Sequence, residues 1–89
     1  MARKFNRDIM NTAAPRDVAM AAMTAADRMQ DFKPEITIMG AAVLFLTLAE
    51  AFDIPAQEVF TATKNLINGD DGKRVEFAGL EDYVKEEIL

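Results

Sequence analysis

The chain has 89 residues, of which 51% are hydrophobic and 28% charged, with a formal net charge of -5. This length suits a single domain, and the apolar content is too high for a disordered tail. Because the sequence contains no Cys, His, Ser or Trp, it excludes disulfides, zinc sites of thiolate or imidazole, and Ser or Cys nucleophiles activated by His. We therefore expect a protein that is not an enzyme and that needs neither a metal nor a cofactor.

The positive charge is concentrated at the start of the chain. Residues 1–16 carry four basic and one acidic side chain, whereas the remaining 73 carry six basic and 14 acidic ones. Segment 1–12 is a basic arm whose candidate contact residues are Arg3, Lys4, Phe5, Arg7 and Ile9. Such an arm contacts phosphates, docks on a protein, or is simply a frayed terminus. No apolar stretch typical of a secretory signal follows the basic residues, so we expect a cytoplasmic protein.

The first helix is predicted over 15–31, because a proline is favoured in the first helical turn and Thr12 or a neighbour can cap the helix. Its apolar side chains recur at helical spacing and form one stripe. The members of this stripe are Val18, Ala22, Ala25, Met29 and Phe32.

The second helix is predicted over 34–52 and is apolar on every side. One face consists of Ile36, Met39, Val43 and Leu46, and another of Ile38, Phe45, Leu48 and Phe52. A helix of this kind is buried all round, so we expect it to be the centre of the fold. Gly40 in its interior indicates a close helix crossing. Only 14 residues separate Glu35 from Glu50, fewer than the roughly 20 apolar residues of a membrane span, so we expect no membrane insertion.

The third helix is predicted over 54–68, with Gly69 as a left-handed cap after Asn68, and the last over 78–89. Between them lie a turn at 70–72 and a segment, 74–77, that alternates like a short strand. The stretch 48–60, LAEAFDIPAQEVF, resembles the closing helices of repressor-type helix-turn-helix domains. The resemblance implies a local helix-turn-helix geometry. It does not extend to DNA reading, because the upstream segment 36–47 is wholly apolar.

These elements predict an all-α fold, a compact bundle of about four helices around a central apolar helix, 36–52. The basic arm 1–12 precedes a single helical domain, 13–89. Three short neighbours are too few to cover both faces of the central helix, so we expect a homo-oligomer, most simply a two-fold dimer. The expected self-association residues are Ile36, Met39, Val43, Leu46, Phe45 and Phe52.

The predicted function is that of a small helical interaction module that self-associates and binds another, unidentified protein. Small size and the lack of catalytic residue types are typical of accessory proteins of viruses and mobile elements. The alternative is a nucleic-acid-binding accessory protein that uses the basic arm, although its acidic body opposes close approach to phosphates.

Overall fold

The computed structural model describes residues 4–88, and of residue 88 the backbone only. Helices account for most of these residues, and the all-α prediction is confirmed. In chain order the elements are α1 (Arg7–Asn11), α2 (Pro15–Met29), α3 (Pro34–Ala51), α4 (Ala56–Ile67), β1 (Asn68–Gly69), β2 (Gly72–Lys73), α5 (Val75–Tyr83) and a π-helical end (Val84–Ile88).

Prolines mark the helix starts, as the sequence predicts. Pro15 and Pro34 are the first residues of α2 and α3, where a missing N–H breaks no helical hydrogen bond. Pro55 instead precedes α4 as its N-cap residue. Thr12 does not cap α2, because its hydroxyl donates to the carbonyl of Asp8 in α1, at 2.6 Å.

The turn between α3 and α4 is a helix stop with a left-handed residue. Asp53 has a φ of 54°, the amide of Ile54 donates to the carbonyl of Ala49 at 2.9 Å, and that of Asp53 donates to Glu50 at 3.0 Å. This is the Schellman arrangement, which satisfies the last carbonyls of a helix. Its usual apolar contact is present too, since Ala49 and Ile54 are both buried. The helix-turn-helix geometry implied by the resemblance is therefore observed here.

A two-residue hairpin separates α4 from α5 and corrects two sequence predictions. Asn68 pairs with Lys73, and Gly69 with Gly72, in antiparallel register. Because this pairing extends the backbone at Gly69, the left-handed glycine is Gly72, with a φ of 106°, and the cap predicted at Gly69 is wrong. The extended segment ends early for the same reason, and α5 begins at Val75, three residues before the predicted start.

The helices form two pairs, in which α2 packs against α5 and α3 packs against α4. The Tyr83 hydroxyl of α5 reinforces the first pair by donating to Asp27 Oδ1 of α2 at 2.8 Å, which raises the pKa of Tyr83. The buried apolar side chains of the described chain are Ala19, Ala49, Ile54 and Phe77. The sequence predicts that the other helices bury α3, but within one chain only Ala49 of that helix is buried. The reason is that α2 packs mainly against α5, so α4 is the long helix that packs along α3.

The chain consequently exposes more surface than usual for its size. Its accessible area is 7206 Å², whereas a monomeric protein of this mass exposes about 5,200 Å². Its radius of gyration is 13.7 Å, against about 12 Å for a compact domain of this length. The excess over the area expected for this mass is about 2,000 Å² per chain.

Candidate interaction surfaces

The first surface is the side of α3 that faces away from the other helices, here called the outer face. It contains four large side chains at spacings of three or four residues, which places them on one side of a helix. Their exposed fractions are 57% for Ile36, 61% for Met39, 57% for Val43 and 54% for Leu46. From first to last they cover about 15 Å of helix length, so the outer face is a continuous apolar stripe.

Carboxylates border both ends of the outer face. Glu35 precedes Ile36 and Glu50 follows Leu46 by one turn, and both are exposed. An apolar centre with a charged rim is the common composition of a protein–protein interface.

The opposite side of α3 is exposed as well, with Ile38 at 68% and Leu48 at 48%. Leu44, two residues and thus about 200° from Leu46, is 49% exposed. Among the described residues, α3 is the helix that is long and apolar enough, by length and composition, to cross a membrane. Its 18 residues extend for about 27 Å at 1.5 Å each, a little less than the roughly 30 Å of a hydrocarbon core.

The second surface is an apolar groove between α3, α4 and the arm. Phe45 and Phe52, two of the six predicted self-association residues, lie here and not on the outer face. The groove contains a cavity of about 310 Å³. Its lining includes Phe5, Met10, Phe45, Phe52, Ile54 and Val59.

The arm is folded onto this groove by a local capping interaction. The Asn6 side chain accepts hydrogen bonds from the amides of Asp8 (2.8 Å) and Ile9 (3.3 Å), which starts α1 at Arg7. The ring of Phe5 then lies 5.8 Å from that of Phe52, tilted by 33°. Phe5 and Met10 of the arm therefore lie against the groove of their own chain, and docking of the arm on another protein stays a prediction.

An ion pair fixes the arm to α4. Arg7 Nε donates to Glu58 Oε2 at 2.7 Å. This hydrogen bond and the charge of Glu58 raise the pKa of Arg7, with a smaller contribution from the charge of Asp53. Of the other predicted arm contacts, Lys4 is exposed, Ile9 is 68% exposed, and Arg3 lies outside the described residues.

Met10 is the groove residue of the arm that the sequence did not predict, and Ile54 and Val59 of the groove were not predicted as site residues either. Phe5 and Ile9 were the predicted apolar contacts of the arm. Because α1 starts directly after the cap at Asn6, Met10 faces the groove and Ile9 faces solvent. The available signal was the Asn6–Arg7–Asp8 capping pattern, because an N-cap determines which of the next residues share a face.

A separate charged cluster joins the hairpin to α5. Glu81 pairs with Lys73 and with Lys85, the latter at 2.9 Å. These hydrogen bonds, that of Lys73 first, lower the pKa of Glu81 to about 2. The two lysines and Glu81 border an open apolar cavity of about 380 Å³ floored by Phe77. Two lysines share one carboxylate, so the cluster keeps one net positive charge at the rim of this cavity.

Within residues 4–88, no three His, Cys, Asp or Glu side chains come together as metal ligands. Comparison with protein-family models, with curated protein sequences and with solved structures returns no match. The candidate function consequently depends on the surfaces themselves.

Proposed function

We propose that this protein is a small, non-enzymatic helical interaction module that self-associates through the outer face of α3 and acts by binding another protein. The observation that carries the proposal is the exposure of Ile36, Met39, Val43 and Leu46 on one side of an 18-residue helix. Monomeric soluble proteins rarely leave so continuous an apolar stripe exposed to water.

The size of the exposed area supports a second copy as the occupant. Obligate homodimers bury on the order of 1,000–2,500 Å² per chain, and the excess area of about 2,000 Å² falls in that range. A two-fold dimer brings the outer face of one chain against the same face of the other, so that every apolar contact is made twice.

The alternatives find less support. The nucleic-acid-binding alternative relies on the basic arm, but Arg7 is paired with Glu58, which reduces the charge available for phosphates. Membrane insertion would have to bury both sides of α3 in lipid, and it would have to place Glu35 and Glu50, the second and the next-to-last residues of the helix, at the two interfaces. A charged side chain inside the bilayer is unfavourable unless it is paired or reaches the interface.

Two substitutions on α3 distinguish self-association through the outer face from these alternatives. They are Leu46→Glu and its matched control, Leu44→Glu. Both replace leucine with glutamate at half-exposed positions, two residues apart, on opposite sides of the helix. In the proposed dimer the exposed part of the Leu46 side chain is buried, and losing that burial costs about 1 kcal/mol of association free energy per copy. Burying a carboxylate in its place costs several kcal/mol more. Because two copies contribute and 1.4 kcal/mol is tenfold in affinity, Leu46→Glu weakens association at least about a hundredfold.

Sedimentation velocity at micromolar concentration, with circular dichroism as a check on folding, is the appropriate measurement. We expect Leu46→Glu to sediment as a folded monomer, while Leu44→Glu keeps the oligomer of the unchanged chain. Dissociation by both substitutions would indicate that all sides of α3 are buried together, as in lipid or a larger assembly. An unchanged oligomer in Leu46→Glu would remove the outer face as the contact.

A further inference from the structure

The groove between α3 and α4 is filled incompletely by the arm of the same chain. Beside the arm on the α3 side lies the cavity of about 310 Å³, and on the α2 side lies a second of about 140 Å³. Met10 and Val59 line both cavities. Both spaces open toward solvent, so the arm leaves part of the apolar surface of the groove uncovered.

We propose that this groove is a docking site for a short segment of a protein partner that, like the arm, is extended at an aromatic residue and helical from a basic residue onward, and that the arm occupies the groove until the partner displaces it. The proposal rests on the proposed function only in that the protein acts through protein contacts. It concerns a different surface, since the groove is lined by Phe45 and Phe52 and the outer face is not.

The charge around the groove indicates the chemistry of the partner. Glu58 accepts the guanidinium of Arg7, and Asp53 adds a weaker attraction to the same group. An apolar floor with carboxylates beside it favours a segment that is apolar on one side and basic at one point. An acidic segment is disfavoured there, and so is a nucleic-acid backbone.

The arm itself shows the spacing that the groove accepts. An aromatic side chain at position 5 contacts Phe52, an arginine two residues later reaches Glu58, and an apolar side chain three residues further on enters the cavity. A partner with a side chain bulkier than Met10 at the last of these positions fills more of the empty volume. Covering apolar surface that the arm leaves open to solvent favours binding.

The arm is also suited to being displaced. Its ion pair is largely exposed, at 52% for the Arg7 side chain and 38% for that of Glu58, and solvent-exposed pairs of this kind contribute little to stability. α1 has only five residues, too few for a helix that is stable by itself. A partner segment therefore replaces weak contacts with more extensive ones.

The experiment uses a fluorescent peptide with the sequence of residues 4–13 as the probe and the full chain as the receptor. In the receptor variant Phe5→Ala/Arg7→Ala, the arm competes less for the groove. We expect the peptide to bind this variant at least tenfold more tightly than the unchanged chain, measured by fluorescence anisotropy. The matched control is Ile9→Ala, an exposed position on the same arm, which should leave the affinity of the unchanged chain as it is.

Two further measurements define the outcome. A peptide carrying the same two alanines should not bind, and adding Glu58→Gln to the receptor variant should weaken peptide binding by up to about fivefold, as expected for the loss of one exposed ion pair. In the unchanged chain, excess peptide should speed hydrogen exchange at the amides of Asp8 and Ile9, which Asn6 holds. This readout needs no variant to fold. Equal affinity for both receptors, or no binding together with unchanged exchange, would overturn the docking proposal, whereas sedimentation of the same samples reports separately on self-association.

Discussion

Gly40 allows the contact between α2 and α3 to be tested by substitution. A Cβ placed on this glycine would lie 3.3 Å from the terminal methyl carbon of Met29. Close by, the Thr37 hydroxyl donates to the Met29 carbonyl at 3.2 Å. The end of α2 therefore approaches α3 here, and the question is how much additional volume the contact accepts.

Two effects of opposite sign determine the result for Gly40→Ala. Alanine in a helix interior is more favourable than glycine by about 1 kcal/mol. The new methyl group is slightly too close to Met29, but that neighbour is the free end of a flexible side chain that can shift by a few tenths of an ångström. We therefore expect Gly40→Ala to raise the free energy of unfolding by about 0.5–1 kcal/mol.

Gly40→Leu adds more volume than a shift of Met29 can absorb. Overpacking of this kind destabilises by about 1–3 kcal/mol, so we expect a lower free energy of unfolding. Urea unfolding followed by circular dichroism measures both variants, at one fixed protein concentration because association stabilises the folded state. Unchanged or greater stability in Gly40→Leu would refute the close approach of α2, and a loss in Gly40→Ala would show that Met29 cannot move.

Two more predictions concern single groups. Asp53→Gly should raise the free energy of unfolding by about 0.5–1 kcal/mol, because the left-handed conformation observed at Asp53 strains every residue with a Cβ. A lower free energy of unfolding in urea would mean that the carboxylate, which attracts Arg7, matters more than the backbone. For Glu81, folding lowers the pKa from 4.5 to about 2, so its contribution to stability is present above pH 4.5 and is lost as the pH falls toward 2. The difference in thermal stability between the unchanged chain and Glu81→Gln should therefore shrink through that interval, and a constant difference would contradict the ion pairs with Lys73 and Lys85.

Local signals in the sequence predict the helices well, because each signal acts within a few residues. Pro15 and Pro34 start the helices that they were expected to start. The hairpin was missed because its cause lies in pairing across the turn, where Asn68 meets Lys73. Asn68 followed by Gly69 fits a helix cap in the sequence, and only the pairing with Gly72 and Lys73 shows that the two residues belong to a strand.

The placement of α3 could not be predicted from periodicity alone. An apolar helix is buried by something, but the pattern does not say whether the cover comes from the same chain. It depends on which neighbours are already engaged, and α2 is engaged by α5. The same limit applies to the candidate site. Periodicity placed Phe45 and Phe52 on a different face from Leu46, but only the position of α4 shows that these two line the groove.

Sedimentation equilibrium of the unchanged chain from low to high micromolar concentration tests the central claim most directly. If the outer face of α3 is a self-association surface, the fitted mass is that of a dimer or larger and falls toward the monomer only on strong dilution. The apolar contacts make this association tolerant of added salt. A single species with the mass of one chain across the whole range would contradict the proposal that the exposed stripe of Ile36, Met39, Val43 and Leu46 is covered by a second copy.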